Sequence, residues 1–485
     1  MSSIRRGVAW LAAAQGSLVA LQLVVSILIA RLLGPYDMGI FAVALSIAGM
    51  LSVIRSVGLG SYIVRASAMT ETMLATVFTI GLLLSAFVAV VIAGLGLLGE
   101  AVLEEPGVRH LLLLMAAPPL INAFEIIPAA AIERRADFRA VAAVNIARYS
   151  IANIATLCLA YAGHGYMSLG YGQVISAIVA MAMNNILGRE WVRLRLGLQE
   201  WREVTRYGMQ MLTLSLTSNL QGRLAELMLG KILGLTALGL FSRASGLTSI
   251  LWENLQIVLI RVLFVDFAEQ KRQGQSLRHS YLRIMRILTG FLWPAFTGIA
   301  IIAGPIVIVL FGDDWSEMIV LLSILAVSAA LLVPIMISHD VFIISGKTAR
   351  QMHIELFRAP LSLALFIAGC LISLPAAAAM KGVEAVLTVA LYRSDLERMT
   401  DTRWNDYVRI YGESLLLTAA AGIPAAIVMA FHGWSAHTPL PVVVAGVGAG
   451  VLAWVCTLRL TRHPLFDEGR RLLSRLRSPA LLPSP

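Results

Sequence analysis

Charge is scarce in this chain. Only 14% of its 485 residues are Asp, Glu, Lys or Arg, 58% are hydrophobic, and the mean hydropathy is +0.81. A soluble domain is about 45–50% apolar and about 25% charged. A water-soluble globule is therefore excluded, and the bilayer is the solvent. Cysteine is scarcer still. Cys158, Cys370 and Cys456 lie far apart inside apolar runs, without metal-ligand spacing or an oxidising partner. Each reads as a small packing residue. There is no Gly-x-x-x-x-Gly-Lys-Ser/Thr loop, which removes an ATPase built on this chain. There is no His-Glu-x-x-His, and the eight histidines are scattered. No metal, no cofactor and no Ser/His/Asp chemistry is expected, so the chain does not read as an enzyme.

What the chain has is long apolar runs. By the rule that a span needs roughly 20 apolar residues, about fourteen candidates are present. The first, from about Val8 to Ile29, follows Arg5 and Arg6 and is longer than the core of a cleaved signal, so it is expected to be a span. The net charge of +10 is confined to short loops. Basic segments are Glu133–Arg139, Arg189–Arg206, Arg261–Arg286, Lys347–Arg350, Arg393–Arg409 and Arg459–Arg477. The intervening loops are acidic at Glu100–Glu105 and Gly312–Trp315, neutral at Gly163–Tyr166, and free of Lys and Arg at His432–Thr438. This alternation is the positive-inside pattern of an even number of spans with both termini in the cytoplasm. Topology thus accounts for the basic balance, and no nucleic-acid partner is expected. After Pro375 the run Gly382–Tyr392 is short and ends in Arg393, Asp395, Glu397 and Arg398. Either that twelfth span thins the bilayer or its polar end enters a wet cavity.

The chain nearly repeats itself. Arg31-Leu32-Leu33-Gly34-Pro35-Tyr36-Asp37-Met38-Gly39-Ile40-Phe41 returns as Lys231-Ile232-Leu233-Gly234-Leu235-Thr236-Ala237-Leu238-Gly239-Leu240-Phe241. A fainter pair is Ala131–Arg135 with Phe138-Arg139, against Ile344–Thr348 with Arg350. Loop polarity is kept between the copies, so the repeat is parallel, and duplicated bundles commonly hold a substrate between their repeats. The expected fold is an all-α polytopic membrane protein with two pseudo-symmetric six-helix lobes plus two C-terminal helices. The expected segments are an N-terminal lobe over 1–188, a cytoplasmic amphipathic linker over 189–206, a C-terminal lobe over 207–410, two additional spans over 411–461 and a basic cytoplasmic tail over 462–485. Within the linker, Trp191, Leu194 and Leu198 share one helical face, so Trp191–Trp201 is expected to lie on the membrane surface as a helix. The tail has the same character, and 478–485 is expected to be disordered.

As a set, these motifs resemble the polysaccharide-transport branch of the multidrug/oligosaccharidyl-lipid/polysaccharide flippase superfamily, the Wzx-like flippases. The resemblance rests on the first hairpin from Ile29 to Phe41, Gly58-Leu59-Gly60, Arg134–Phe138, Gly163–Tyr166, Leu229–Ala244, and Pro294 and Pro305 through Phe311-Gly312-Asp313-Asp314-Trp315. It covers about the first 390 residues. Where the family usually carries Phe-Pro-Ala after the eighth span, this chain reads Phe264-Val265-Asp266-Phe267-Ala268. The resemblance implies translocation of a polyprenyl-pyrophosphate-linked oligosaccharide across the bacterial inner membrane, two lobes around a V-shaped cavity, and work beside a polymerase and a chain-length regulator. An ion-coupled drug or metabolite antiporter of the same superfamily is the alternative. A polymerase or ligase is disfavoured because no outer loop is long.

A pyrophosphate crossing about 30 Å of hydrocarbon needs cations in a wet cavity, and the planar fork of Arg suits phosphate oxygens. The seventh span offers Asn219, Arg223 and Glu226 within two turns. Either they meet substrate, or Arg223 and Glu226 neutralise each other. Arg148 on the fifth span and Arg358 on the eleventh, beside Glu355, either bind substrate or snorkel. Arg55 near Gly58-Leu59-Gly60 either receives the pyrophosphate or anchors the helix end. Asn122 and Glu125 sit among Pro118, Pro119 and Pro128, and a broken span is tolerated only against protein or water. Glu125 is a candidate for ion coupling or for pairing, as are Glu226, Asp340 and Glu253.

Overall fold

The computed structural model describes residues 21–55, 58–103, 105–192, 194–250, 252, 273, 276–467 and 470. The described residues are helical, with no strand among them. Among the described residues, ten helices are long and apolar enough to cross a membrane, or eleven if a bent pair counts as one span. The other expected spans fall on the shorter apolar helix α1 (Leu21–Leu32), on α10 (Trp201–Leu233), and on α11, described over 235–250. The Phe264–Ala268 departure also lies outside them.

The chain divides into two compact units, Met1–Gly239 and Leu240–Pro485. In the first, α2 (Pro35–Arg55), α3 (Leu59–Arg65) and α4 (Glu71–Leu103) precede a broken rod made of α5 (Pro106–Met115), α6 (Ala117–Ala123) and α7 (Ile126–Arg134). The paired helices α8 (Phe138–Tyr161) and α9 (Met167–Leu187) follow. Small residues let these helices approach, as interhelical packing in hydrocarbon requires. A Cβ at Gly172 would overlap Thr156 of α8, and one at Gly170 would overlap Leu111 of α5.

The same device joins the two copies of the main repeat. A Cβ on Gly39 would run into the backbone carbonyl of Leu235, and one on Gly239 into the backbone carbonyl of Pro35. Residue 35 stands to 235 as 39 stands to 239. Each copy thus offers the other a bare glycine and receives a carbonyl in return, the reciprocity expected of a two-fold contact. The fainter repeat is a shared helix ending. Asp137 N–H donates to the Ile132 carbonyl and Ala136 N–H to that of Glu133. Lys347 N–H donates to the Phe342 carbonyl and Gly346 N–H to that of Ile343. Both are Schellman caps, turned at Ala136 (φ 53°) and Gly346 (φ 68°).

The linker is not the surface helix expected from its pattern. After one 3-10 turn, Arg189–Trp191, it runs extended along α4. The reason lies in the threonines of α4: Thr79 Oγ1 accepts from Gly197 N–H at 2.9 Å and Thr76 Oγ1 from Glu200 N–H at 3.3 Å. With its backbone donors met there, the strap leaves Leu194 and Leu198 exposed.

In the second unit, α12 (Arg278–Ile301), α13 (Ala303–Phe311), α14 (Met318–Leu332), α15 (Ser338–Ile344), α16 (Thr348–Cys370) and α17 (Leu374–Thr400) precede α18 (Trp404–Phe431) and α19 (Leu440–Leu460). Tyr281, Leu288, Phe296, Phe342 and Tyr392 form its core. The twelfth span is not short: α17 is a continuous 27-residue helix starting eight residues before Gly382. Its charged close is paired, Arg393 with Glu397 at 2.8 Å and Asp395 with Arg350 at 3.1 Å. Gly446 and Gly450 of α19 press on Val428 and Ala421 of α18. Of the cysteines only Cys370 is packed inside, while Cys158 and Cys456 face outward.

Beyond α19 the chain folds back and buries His463 against Gly290. Burial, and then the charge of Arg286, push the His463 imidazole down to about 4. An unfolded His takes up a proton near 6.5, so the folded state binds fewer protons between these values. The stability held above pH 6.5 is lost as pH falls toward 4. Detergent-solubilised protein should therefore lose about 2 kcal/mol more between pH 7 and pH 5 than the His463→Gln variant does, as read by denaturant titration at each pH. For the repeat contact, Gly39→Ala and Gly239→Ala should each sharply lower the melting temperature. Gly34→Ala, with nothing within 4 Å of the new Cβ, should leave it nearly unchanged, and equal melting of all three variants would refute the crossing.

Candidate functional site

The site grows out of a break in a helix. Pro128 has no N–H, so the carbonyl four residues earlier, Phe124, loses its helical partner. The rod bends there by 51° between α5–α6 and α7. In hydrocarbon an unpaired carbonyl costs several kcal/mol unless protein or water repairs it. Asn185 of α9 makes the repair, its Nδ2 donating to the Phe124 carbonyl at 3.2 Å. Its neighbour Asn184 donates from Nδ2 to Glu125 Oε2 at 2.9 Å. Glu125 is thus held at the break by a neutral donor.

Arg55, at the end of α2, and Arg148, on α8, lie close enough to Glu125 and to each other to interact electrostatically. The Nε of each guanidinium is buried and makes no hydrogen bond among the described residues. Tyr149 lies beside Arg148, its ring centroid 4.8 Å from the guanidinium carbon. A cleft of about 300 Å³ opens at the bend, lined by Arg55, Gly58, Gly60, Asn122, Glu125 and Glu133. Gly58 has φ 64°, a left-handed turn that lets α3 start beside Arg55. Arg134 fixes the far wall by donating to the carbonyls of Ile63 at 2.8 Å and Ser67 at 3.1 Å.

Four expected residues, Arg55, Asn122, Glu125 and Arg148, thus come together from three separate spans. Chemically, two partly desolvated guanidiniums beside Glu125, with Glu133 on the cleft wall, suit an anion with several oxygens, or a cation or proton exchanged at Glu125. Sequence reasoning missed Asn184 and Asn185. Two adjacent amides in the uncharged Met167–Leu187 run were the available signal, because a paired Asn costs little there and an unpaired one costs much.

The other candidates are placed elsewhere. Arg223 pairs with Glu226 at 3.3 Å, Glu226 accepts from Ser46 Oγ of α2, and Gly49 leaves room for the guanidinium. Arg358 is held by Glu355 at 2.7 Å and Glu384 at 2.9 Å, with Lys381 on Glu384 at 2.9 Å and Tyr392 donating to Glu355. Asp340 is half-buried in the first turn of α15. The side chain of Asn219 and the whole of Glu253 lie outside the described residues.

These features define a multi-pass helical membrane protein with a polar site at a broken span. The chain belongs to the family described as polysaccharide biosynthesis protein, whose match covers residues 28–320, more than half its length. The succinoglycan biosynthesis transport protein ExoT of Rhizobium meliloti is 24% identical over 335 residues, 68% of this chain and 67% of that protein. The lipopolysaccharide biosynthesis protein WzxC of Escherichia coli K12 is 23% identical over 328 residues, 66% of each. The chain thus spans about two thirds of these relatives. Its fold is similar to that of the lipid II flippase MurJ in an inward closed conformation, with TM-score 0.73 and 10% identity over 93% of this chain and 98% of that one. It is less similar to a MATE structure in complex with MaL6, with TM-score 0.51 and 13% identity over 82% and 96%.

The role given to Asn184 sets an expectation. Asn184→Ala should cost about 1 kcal/mol of stability, the worth of one hydrogen bond. Asn184→Asp should cost more, because a second carboxylate would face Glu125. Melting temperatures in detergent at pH 7 should rank wild type above Ala above Asp, and the reverse order of the two variants would refute the contact.

Proposed function

We propose that the protein flips a polyprenyl-pyrophosphate-linked oligosaccharide across the inner membrane for export of a bacterial surface or extracellular polysaccharide. The observation that carries this reading is the pair Arg55 and Arg148, two half-buried guanidiniums beside a broken span, each with a buried Nε–H that no described residue accepts. An unmet buried donor costs about 1–3 kcal/mol, and a pyrophosphate supplies the missing acceptors. Family membership and the transport and biosynthesis names of the relatives support the same substrate class.

In this reading the two copies of the repeat organise lobes over 1–188 and 207–410 that rock in alternating access around a cationic cavity, with 411–461 as added spans. Both termini face the cytoplasm, as the basic loops favour. The chain performs transport without chemistry of its own, beside a polysaccharide polymerase and a chain-length regulator. Arg223 and Arg358 are assigned to pairing, because each already has carboxylate partners. The second reading, an ion-coupled antiporter, is favoured by one observation: Glu125 shares the cleft and is held by a neutral amide as well as by cations.

The test is translocation of a fluorescent polyprenyl-pyrophosphate oligosaccharide in proteoliposomes. Arg55→Ala and Arg148→Ala should each lower the rate about tenfold or more, the worth of a charged hydrogen bond. Lys should rescue each in part. Arg223→Ala should act chiefly on melting temperature. Wild-type rates in both Arg55→Ala and Arg148→Ala would sink the cationic-site model. Ion-gradient-driven drug efflux without lipid translocation would establish the antiporter.

A further inference from the structure

A second polar cleft, of about 560 Å³, lies in the other unit, at the end of the bundle where α12 and α18 begin and the chain leaves α19. Arg283, Arg286, Arg409 and Arg462 line it, with the acids Asp406, Glu413 and Asp467. The acids are largely spent. Arg278 grips both oxygens of Asp406 at 2.9 Å, and Glu413 is shared by Arg286 at 2.5 Å and Arg409 at 3.6 Å. Among the described residues at the cleft, five arginines stand with three carboxylates, so its lining is predominantly basic. Arg462 is held at φ 48°, a left-handed conformation that is strained for a non-glycine residue. That strain sits in the turn that closes the cleft.

The same three helices carry an apolar groove of about 280 Å³, lined by Pro294, Gly298, Ile302, Ala421, Val451 and Trp454. On α12 the positions 283, 286, 290, 294, 298 and 302 recur at three and four residues, so cleft and groove lie along one helix face. Positions 413, 417, 421 and 425 do the same on α18. Between the two lies Gly290, flanked by His463 and Leu417, with Trp454 Nε1 donating to its carbonyl at 3.0 Å. From Arg286 to Pro294 is eight residues, about 12 Å along the axis. A basic cleft at the interface, continued by an apolar groove into the hydrocarbon, has the polarity of a phospholipid. Clusters of basic side chains between spans are a recurrent way to hold anionic headgroups.

We propose that this paired cleft and groove bind an anionic phospholipid of the adjoining leaflet, its phosphate among Arg283, Arg409 and Arg462 and one acyl chain beside Gly298. The site is independent of the transport reading. It shares no residue with the cleft at Glu125, and α18 and α19 lie beyond the residues that match the family.

The experiment uses the full chain, delipidated in detergent and titrated with dioleoyl-phosphatidylglycerol, dioleoyl-phosphatidylcholine or soluble glycerol 3-phosphate, with bound ligand counted by native mass spectrometry. Phosphatidylglycerol should bind about tenfold or more tighter than phosphatidylcholine. Arg462→Gly, which suits φ 48°, and Arg283→Gln should each weaken it about fivefold. Gly298→Leu fills open space, since nothing lies within 4 Å of the new Cβ, and should weaken the lipid without affecting glycerol 3-phosphate. Equal binding of the two lipids overturns the proposal, as does wild-type affinity in the Arg462→Gly, Arg283→Gln double variant. Full competition by glycerol 3-phosphate with no effect of Gly298→Leu reduces the site to a phosphate patch and also overturns it. Displacement of phosphatidylglycerol by equimolar polyprenyl pyrophosphate reassigns the site to the transported lipid.

Discussion

A helix in hydrocarbon has nowhere to send an unpaired carbonyl or N–H, and this rules where the chain can depart from regularity. It departs most at Phe124 and Glu125, where Pro128 strips a carbonyl of its partner, and the departure is sustained by Asn185. The bend then has a use. It turns α7 away from α5–α6 and opens a cleft into which Arg55 and Asn122 project. The strap over 194–200 obeys the same rule by a different route, Gly197 and Glu200 lending their N–H groups to the threonines of α4.

Charge follows a parallel logic. An ionised side chain inside a bundle is tolerated when it is paired or wet, and the chain uses both solutions. Arg223 with Glu226, and Arg358 with Glu355 and Glu384, are closed arrangements in which each cation is answered within one or two helices. Such pairs add little stability over apolar packing, though breaking one is costly. Arg55 and Arg148 are open arrangements: each has a buried Nε–H with no acceptor among the described residues, with Glu125 near both and Glu133 lining the same cleft. A protein gains nothing in stability from that state. Its retention makes sense if the missing acceptors arrive with a ligand.

Much of this was legible in the sequence, for identifiable reasons. Apolar run length reports the bilayer directly, so the helices and the membrane setting could be read one run at a time. Charged residues inside those runs are conspicuous, so Arg55, Asn122, Glu125 and Arg148 could be named. Their convergence could not, because it depends on how α2, α7, α8 and α9 pack, and no local pattern encodes that. Nor could the full sets of partners around Arg223 and Arg358, since Ser46 reaches Glu226 and Glu384 reaches Arg358 from other helices. The linker was misjudged because Trp191, Leu194 and Leu198 have helical spacing, while the acceptors that hold it extended belong to a helix more than a hundred residues earlier.

The repeat shows how duplication shapes packing. In each copy the hairpin glycine is a place where a side chain is forbidden, because the carbonyl of the other copy occupies that space. Two such places, related by the same offset of residues, make a crossing with backbone on both sides. The side chains beside them are buried, Met38 and Ile40 next to Gly39, Leu238 and Leu240 next to Gly239. The bare backbone sets how closely the two helices approach, and the flanking side chains pack only because that approach is allowed. Glycine at the same register in both copies is what the reciprocal contact requires.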